Sequence, residues 1–233
     1  MKLNIKKCQV MRFYRIEKPI LFQYHLNVDT PLANVDVVSD LGVTFQRDLG
    51  FECHIDRICN RALKLLGFVI RNVRDFQEIG SIRSVYCGIV RSVLEYGVSV
   101  WTPQYNKYIV QIERVQKKFL RFIAYKLNVS HDVVGYDFLL GVCNLETLEK
   151  RRQNYDLCLL YKIVNNLIDS PDLLEQISYH VPARDTRQNV LFDIEFHRTN
   201  YGFHSPLTRM MRLGNDCSLD MSHLSYSVFK HSL

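Results

Sequence analysis

The chain has 233 residues, 47% of them hydrophobic and 23% charged, with a formal net charge of +6 and an isoelectric point near 8.9. That balance excludes a disordered polar tail and leaves enough apolar surface for one large domain or two small ones. The basic excess tilts the partner toward phosphates or other anionic surfaces.

The longest apolar runs, such as LLGFVI at 65–70, are far too short to span a bilayer, so no membrane role is expected. The opening MKLNIKK carries charge but no apolar stretch of the kind a signal peptide needs. Seven scattered cysteines with no C-x-x-C pair favour free thiols in a reducing compartment, nuclear or cytoplasmic.

Residues 9–15 (QVMRFYR) and 20–28 (ILFQYHLNV) alternate in side-chain character around Lys18-Pro19, which predicts a β-hairpin between them. VDVVSDLGVTF (35–45) has the composition of a third strand, interrupted at Asp40-Leu41-Gly42, where glycine permits a bulge or a close backbone approach.

After Gly50 the apolar period lengthens from two to about three and a half. Ile55, Ile58, Cys59, Ala62, Leu65, Leu66 and Val69 fall on one side of a helix. Arg57, Arg61, Lys64 and Arg71 gather on the other. A second helix over roughly 80–96 aligns Ile82, Val85, Tyr86, Ile89, Val90 and Val93. Its remaining faces are also fairly apolar, so it should be the most buried of the set. Trp101-Thr102-Pro103 closes that segment.

A third helix, roughly 106–126, carries the stretch ERVQKKFLRF. Val115, Phe119 and Phe122 line one face; Arg114, Lys117, Lys118 and Arg121 line the other. Most amphipathic helices show a charged face to water for no further reason. Here, however, the face is of one sign with only Glu113 nearby, and helix one repeats the layout; a merely solvated face more often mixes signs. Short connections make the three helices a compact bundle.

Farther on, Asn144 is expected to cap a helix from about 145 to 168, with Glu146 and Glu149 in its first turns. Ser170-Pro171-Asp172 should start a short helical piece. From Val181 to about Tyr201 the chain reads as strand or loop, and a short helix follows near 205–213. His197, Arg198, Asn200 and Tyr201 suit either a single-stranded RNA contact or a loop that caps its own backbone.

Cys53, His54 and Cys59, and likewise Cys217 and His223, lack the close paired spacing of a zinc site, so no metal is expected. No Walker-type or Rossmann-type glycine loop is present. Three units result: 1–50 with the strands, 51–126 with the bundle, and 127–233 as a helical then irregular extension. The fold class expected is α+β, mostly α, with short N-terminal antiparallel strands ahead of the helices.

Three blocks in order, KKCQVM, then DLGVTF, then VLEYGVSVW at the end of the second helix, resemble the downstream half of reverse transcriptases from jockey-like non-LTR retrotransposons. FHRTNYG (196–202) is similar to the carboxy-terminal region of the same family. The resemblance runs along nearly the whole chain.

It implies that residues 1–50 are the end of the polymerase palm and that the bundle stands where the thumb lies along the template–primer. It further implies that Lys7, in LNIKKC, is the palm-block lysine near the incoming triphosphate. Leu41 and Gly42 would form the turn that supports the primer end. The partners implied are an RNA template, an RNA–DNA or DNA duplex, and an upstream catalytic half.

Reverse transcriptases hold two magnesium ions with palm carboxylates that include an aromatic-x-Asp-Asp turn. No Asp-Asp pair occurs in the 233 residues. This chain alone is therefore expected to hold no magnesium and to transfer no nucleotide, retaining at most template–primer binding through Arg57, Arg61, Lys64, Arg71, Arg114, Lys117, Lys118 and Arg121. The alternative is a non-catalytic helical adaptor whose basic faces meet acidic protein partners.

Overall fold

The computed structural model describes residues 8–14, 18, 20, 22–27, 30–129, 135–181, 190–219, 221 and 223–233. The fold is α+β and mostly helical. Short strands come first, and two helical cores follow, joined by one shared helix.

Strands β1 (Gln9–Val10), β2 (His25–Asn27), β3 (Thr30–Pro31), β4 (Ala33–Asn34), β5 (Val37–Asp40) and β6 (Val43–Gln46) form three two-stranded ladders. Among the described residues the hairpin expected between 9–15 and 20–28 is not one of them; residues 15, 21 and 28 lie outside the described residues. Instead β1 pairs in parallel with β4, and β2 pairs antiparallel with β3. Alternation marks a chain as extended without naming its neighbour, which explains the difference.

The interrupted third strand is itself a hairpin. Val37 faces Gln46 and Asp40 faces Val43 across a two-residue turn. Leu41 and Gly42 both have positive φ, 44° and 84°, as a type I′ turn requires. The turn is bolted to the helices from two sides. Tyr96 donates its hydroxyl to the Leu41 carbonyl at 3.0 Å, and Arg57 donates Nη2 to the Gly42 carbonyl at 2.6 Å.

Helix α1 (Glu52–Asn72), helix α2 (Ile79–Tyr86) running through a π-turn (Cys87–Arg91) into α3 (Ser92–Glu95), the short α4 (Val98–Trp101), and α5 (Asn106–Lys126) form the bundle. On α1 the expected apolar face is inside, with Ile55, Ile58, Cys59, Ala62, Leu66 and Val69 all buried. The middle helix is not the most buried. It submerges Ile82, Tyr86, Val90 and Leu94 and leaves Ile89 exposed. Helix α5 takes that place, because α1 packs on one side of it while helices from beyond residue 135 cover another.

At the centre the Tyr86 and Phe119 rings stack at 4.0 Å, tilted by only 8°. Tyr86 also donates its hydroxyl to Gln116 Oε1 at 3.1 Å. Truncating Phe119 to Ala would remove about 3–5 kcal/mol from such a site.

The first core does not stop at 126. Helix α6 (Tyr136–Cys143) supplies Leu139, Leu140 and Cys143, and Leu145 and Leu148 complete it. Glu113 explains part of this extension. It lies inside α5, only 9% exposed, and accepts the Tyr136 hydroxyl and the Leu148 backbone N–H. Lone polar groups at a helix start are satisfied by such a partner.

Helix α7 (Leu148–Val164) then leads into the second core through Leu157, Leu160, Tyr161 and Ile163. Thr147, not Asn144, caps it, its hydroxyl accepting the Lys150 N–H at 3.1 Å. Asn144 ends α6 instead with φ of 47°, a left-handed conformation that asparagine tolerates better than most residues.

Helix α8 (Pro171–Leu174) begins at a proline as expected. Helix α9 (Asn200–Phe203) leads into α10 (Pro206–Asp216), which with α11 (Tyr226–Ser232) closes the second core around Phe192, Met210, Met211 and Phe229. A buried ion pair ties the halves together. Arg209 on α10 donates Nε to Asp156 on α7 at 2.7 Å and Nη2 to the Ser99 carbonyl of α4 at 2.7 Å.

Candidate nucleic-acid interface

Helices α1 and α5 run parallel in a fixed register. Lys107 pairs with Glu52 at 3.4 Å and Gln111 donates to Asp56 at 2.6 Å, each pair separated by 55 residues along the chain. At the far end Lys126 donates to the carbonyls of Arg74 and Phe76, at 2.8 and 2.5 Å. Each helix has 21 residues, a length of about 30 Å, comparable to one duplex turn of roughly 34 Å.

The register tells which cations share a side. At about 100° per residue, Lys118, Arg114 and Arg121 lie roughly 20–80° round α5 from Gln111. Lys64 and Arg71 lie about 60–80° round α1 from Asp56 in the opposite sense. Since the helices are parallel, these opposite senses point to one outer surface. All five side chains are exposed, so they turn toward solvent and not into the bundle.

The other three predicted cations do not join this rank. Arg57 is committed to the hairpin through Gly42 O and Ser39 Oγ. Arg61 is turned still farther from the α5 seam, about 140° from Asp56. Lys117 lies farther round α5 in the same sense, about 120° from Gln111, with Nζ 5.1 Å from the Tyr136 ring centre. Lys7 lies outside the described residues.

Glu113 does not neutralise the stripe, being buried on the inner face of α5. Among the described residues no carboxylate pairs with Lys64, Arg71, Arg114, Lys118 or Arg121. Sequence reasoning missed Tyr125, which is 79% exposed and follows Lys118 by seven residues on the same phase. It also missed Lys107, which precedes Arg114 by the same interval. Carrying the period of the stripe one step each way would have found both.

At the N-terminal end of the helix pair lies a cavity of about 280 Å³ lined mainly by aromatic and aliphatic groups. Phe51 precedes α1 and Tyr105 precedes α5, and both line it together with Phe45, Trp101, Gln104 and Tyr201.

The cluster at 197–201 mixes structure with exposure. His197 packs its ring against Gly202, where a Cβ would meet Nδ1 at 2.5 Å, and Thr208 Oγ1 is 3.3 Å from its Nε2. Thr199 caps α9 by accepting the Gly202 N–H. His54, one of the zinc candidates, is occupied as well: its Nδ1 accepts the Thr44 N–H at 3.2 Å. Burial, and then the nearby Arg57 charge, push its pKa from 6.5 down to about 4.

No family model matches the chain, and no solved structure matches it. It is similar to a Caenorhabditis elegans protein described as uncharacterized protein B0403.1, with 26% identity over 136 residues, 58% of this chain and 67% of that protein. Among the described residues no helix is long and apolar enough to cross a membrane.

Proposed function

We propose that this chain is the thumb and carboxy-terminal part of a reverse transcriptase of a jockey-like non-LTR retrotransposon, acting in the nucleus or cytoplasm. Its own task is to grip the template–primer duplex while an upstream half carries out RNA-directed DNA synthesis. The observation that carries the reading is the common outer surface of two parallel helices bearing Lys64, Arg71, Arg114, Lys118 and Arg121.

The mechanism is electrostatic and indifferent to sequence. Each phosphate met by a Lys or Arg releases condensed counterions, so affinity falls linearly with salt on a logarithmic plot. Five cations predict a slope of about −4 to −5. A contact of that kind lets the duplex slide, as a copying enzyme needs. Helix α5 is a firm platform for it, since its inner face is sealed by Phe119, Leu120 and Ile123.

The residues present do not fit the two magnesium ions of the complete polymerase. The sequence has no Asp-Asp pair. No catalytic step is assigned to this chain.

The test is fluorescence anisotropy of a labelled primed RNA–DNA duplex across a salt series. Reversing Arg114, Lys117, Lys118 and Arg121 to Glu is expected to abolish most binding. Unchanged affinity in that variant would overturn the thumb assignment. Binding of an acidic protein ligand that duplex fails to displace would favour the adaptor reading.

A further inference from the structure

On the outer surface that α1 and α5 share, Tyr125 stands among cations. It follows Lys118 by seven residues and Arg121 by four. At about 100° per residue it lies roughly 40° round α5 from Gln111, between Lys118 and Arg114. It is 79% exposed, and its place is one turn past Arg121, at the end of the helix.

Other exposed tyrosines have work within the fold. Tyr96 holds the Leu41 carbonyl, Tyr155 donates to Glu95 Oε2 at 3.1 Å, and Tyr24 meets the Phe22 ring edge-on at 5.2 Å. Among the described residues the Tyr125 ring stacks on no other ring and carries no cation over its face. It is open to a ligand.

Two of the cations converge just ahead of it. Gly67 lies about 20° from Asp56, close to the seam between the helices. It stands eleven residues after Asp56, as Phe122 stands eleven after Gln111, so it is level with the turn between Arg121 and Tyr125. Arg71 leans back over that glycine, its Nη1 3.7 Å from the position a Cβ would take. The direction is the usual one, since helical side chains point toward the N-terminus. Arg71 and Arg121 therefore stand on either side of the seam before the ring.

Cations hold the phosphates of paired and unpaired strands alike. A ring discriminates, because the bases of a duplex are stacked on one another while an unpaired base has a face to offer. Arg114 to Arg121 covers about 10 Å of the helix, and the ring stands about 6 Å farther on, or about two base steps of 3.4 Å.

We propose that Tyr125 marks the point where paired strand gives way to unpaired strand: its ring stacks on a base of the single-stranded extension while Arg71 and Arg121 hold the neighbouring phosphates. The inference rests on the nucleic-acid reading above and adds a contact that only an unpaired base can make. Base–aromatic stacking is tolerant of sequence, so the ring serves any base.

The experiment uses the full chain and two labelled RNA–DNA duplexes, one blunt and one with a single-stranded extension carrying a 2-aminopurine. Emission of that base should change on binding, most strongly with the probe within about two nucleotides of the junction. Tyr125→Ala should abolish the change and weaken binding of the extended duplex about fivefold or more. Affinity for the blunt duplex, and its salt slope, should stay as in the parent. Tyr125→Phe keeps the ring and should keep both the emission change and the affinity. The side chain is exposed, so neither variant endangers the fold.

Extended-duplex binding that Tyr125→Ala leaves intact overturns the inference, while blunt-duplex binding by the parent still upholds the thumb reading. An equal loss on blunt duplex also overturns it and assigns the ring to paired strand. A loss in Tyr125→Phe as large as in Tyr125→Ala assigns the contact to the hydroxyl and overturns stacking. Absence of all nucleic-acid binding by the parent chain overturns the thumb reading first, and this inference with it.

Discussion

Gln111 on α5 donates to Asp56 on α1 at 2.6 Å, and that one bond decides which of the basic residues can work together. With Lys107–Glu52 one turn earlier it sets two helices parallel and in register, so that their outward cations form one surface.

The register separates the α1 cations into two kinds. Lys64→Ala with Arg71→Ala should reduce the salt slope of duplex binding by about 2, one for each phosphate no longer neutralised. Arg57→Ala with Arg61→Ala should leave that slope unchanged. Anisotropy titrations at several salt concentrations check both. Equal effects from the two pairs would mean that the surface is not the one described.

Arg57 has a different expected phenotype, shared with Gly42 and Tyr96. A Cβ at Gly42 would stand 3.1 Å from Tyr96 Cε1 at a φ of +84°. Gly42→Ala should therefore destabilise the hairpin by about 1–2 kcal/mol. Tyr96→Phe, which deletes the bond to Leu41 O, should cost about 1 kcal/mol. Amide hydrogen exchange across Val43–Gln46 reports both. Unaltered protection in Gly42→Ala would contradict the close approach.

Stability should fall on mild acidification because of His54. Its folded pKa is lowered from 6.5 to about 4, by burial first and then by Arg57. Below about 6.5 the unfolded chain takes up a proton that the folded chain refuses until about pH 4, so unfolding gains ground as pH drops through that window. The stabilisation is complete above the upper value. At most about 3 kcal/mol is involved. The Thr44 N–H on Nδ1 gives the structural reason, since a doubly protonated ring cannot accept it. Urea midpoints near pH 4.5 and pH 7.5 should differ less in His54→Gln than in the parent.

The tie between the two cores can be cut at Asp156. Burial raises the pKa of this carboxyl against the pull of Arg209, and the pair is nearly inaccessible, with side chains 1% and 13% exposed. Asp156→Ala strands a guanidinium and should cost about 3–5 kcal/mol. The double change Asp156→Leu with Arg209→Met should recover most of that. Chemical denaturation of both variants checks this. An equal destabilisation in the double variant would assign the effect to packing instead of stranded charge.

The helical part of the fold was legible in the sequence because a buried stripe must repeat every 3.6 residues. Ile55, Ile58, Ala62, Leu66 and Val69 announce α1 without any knowledge of what covers them. The single sign of Arg114, Lys118 and Arg121 was visible for the same reason. The strands were less so. Alternation at 9–15 and 20–28 is real, but a short ladder chooses its partner through contacts that no local pattern encodes. The reach of the first core past 126 was not legible either, since it depends on Glu113 meeting Tyr136 and Leu148 from beyond it.

By itself, then, the sequence determined which residues face inward and that a long run of cations faces out, since both follow from helical periodicity. Only the tertiary structure decided that α1 and α5 lie parallel, and that Lys64 and Arg71 join the α5 rank while Arg57 is drawn off to Gly42. Those outcomes depend on contacts between segments tens of residues apart. Periodicity is a local property of the chain; register between helices is not.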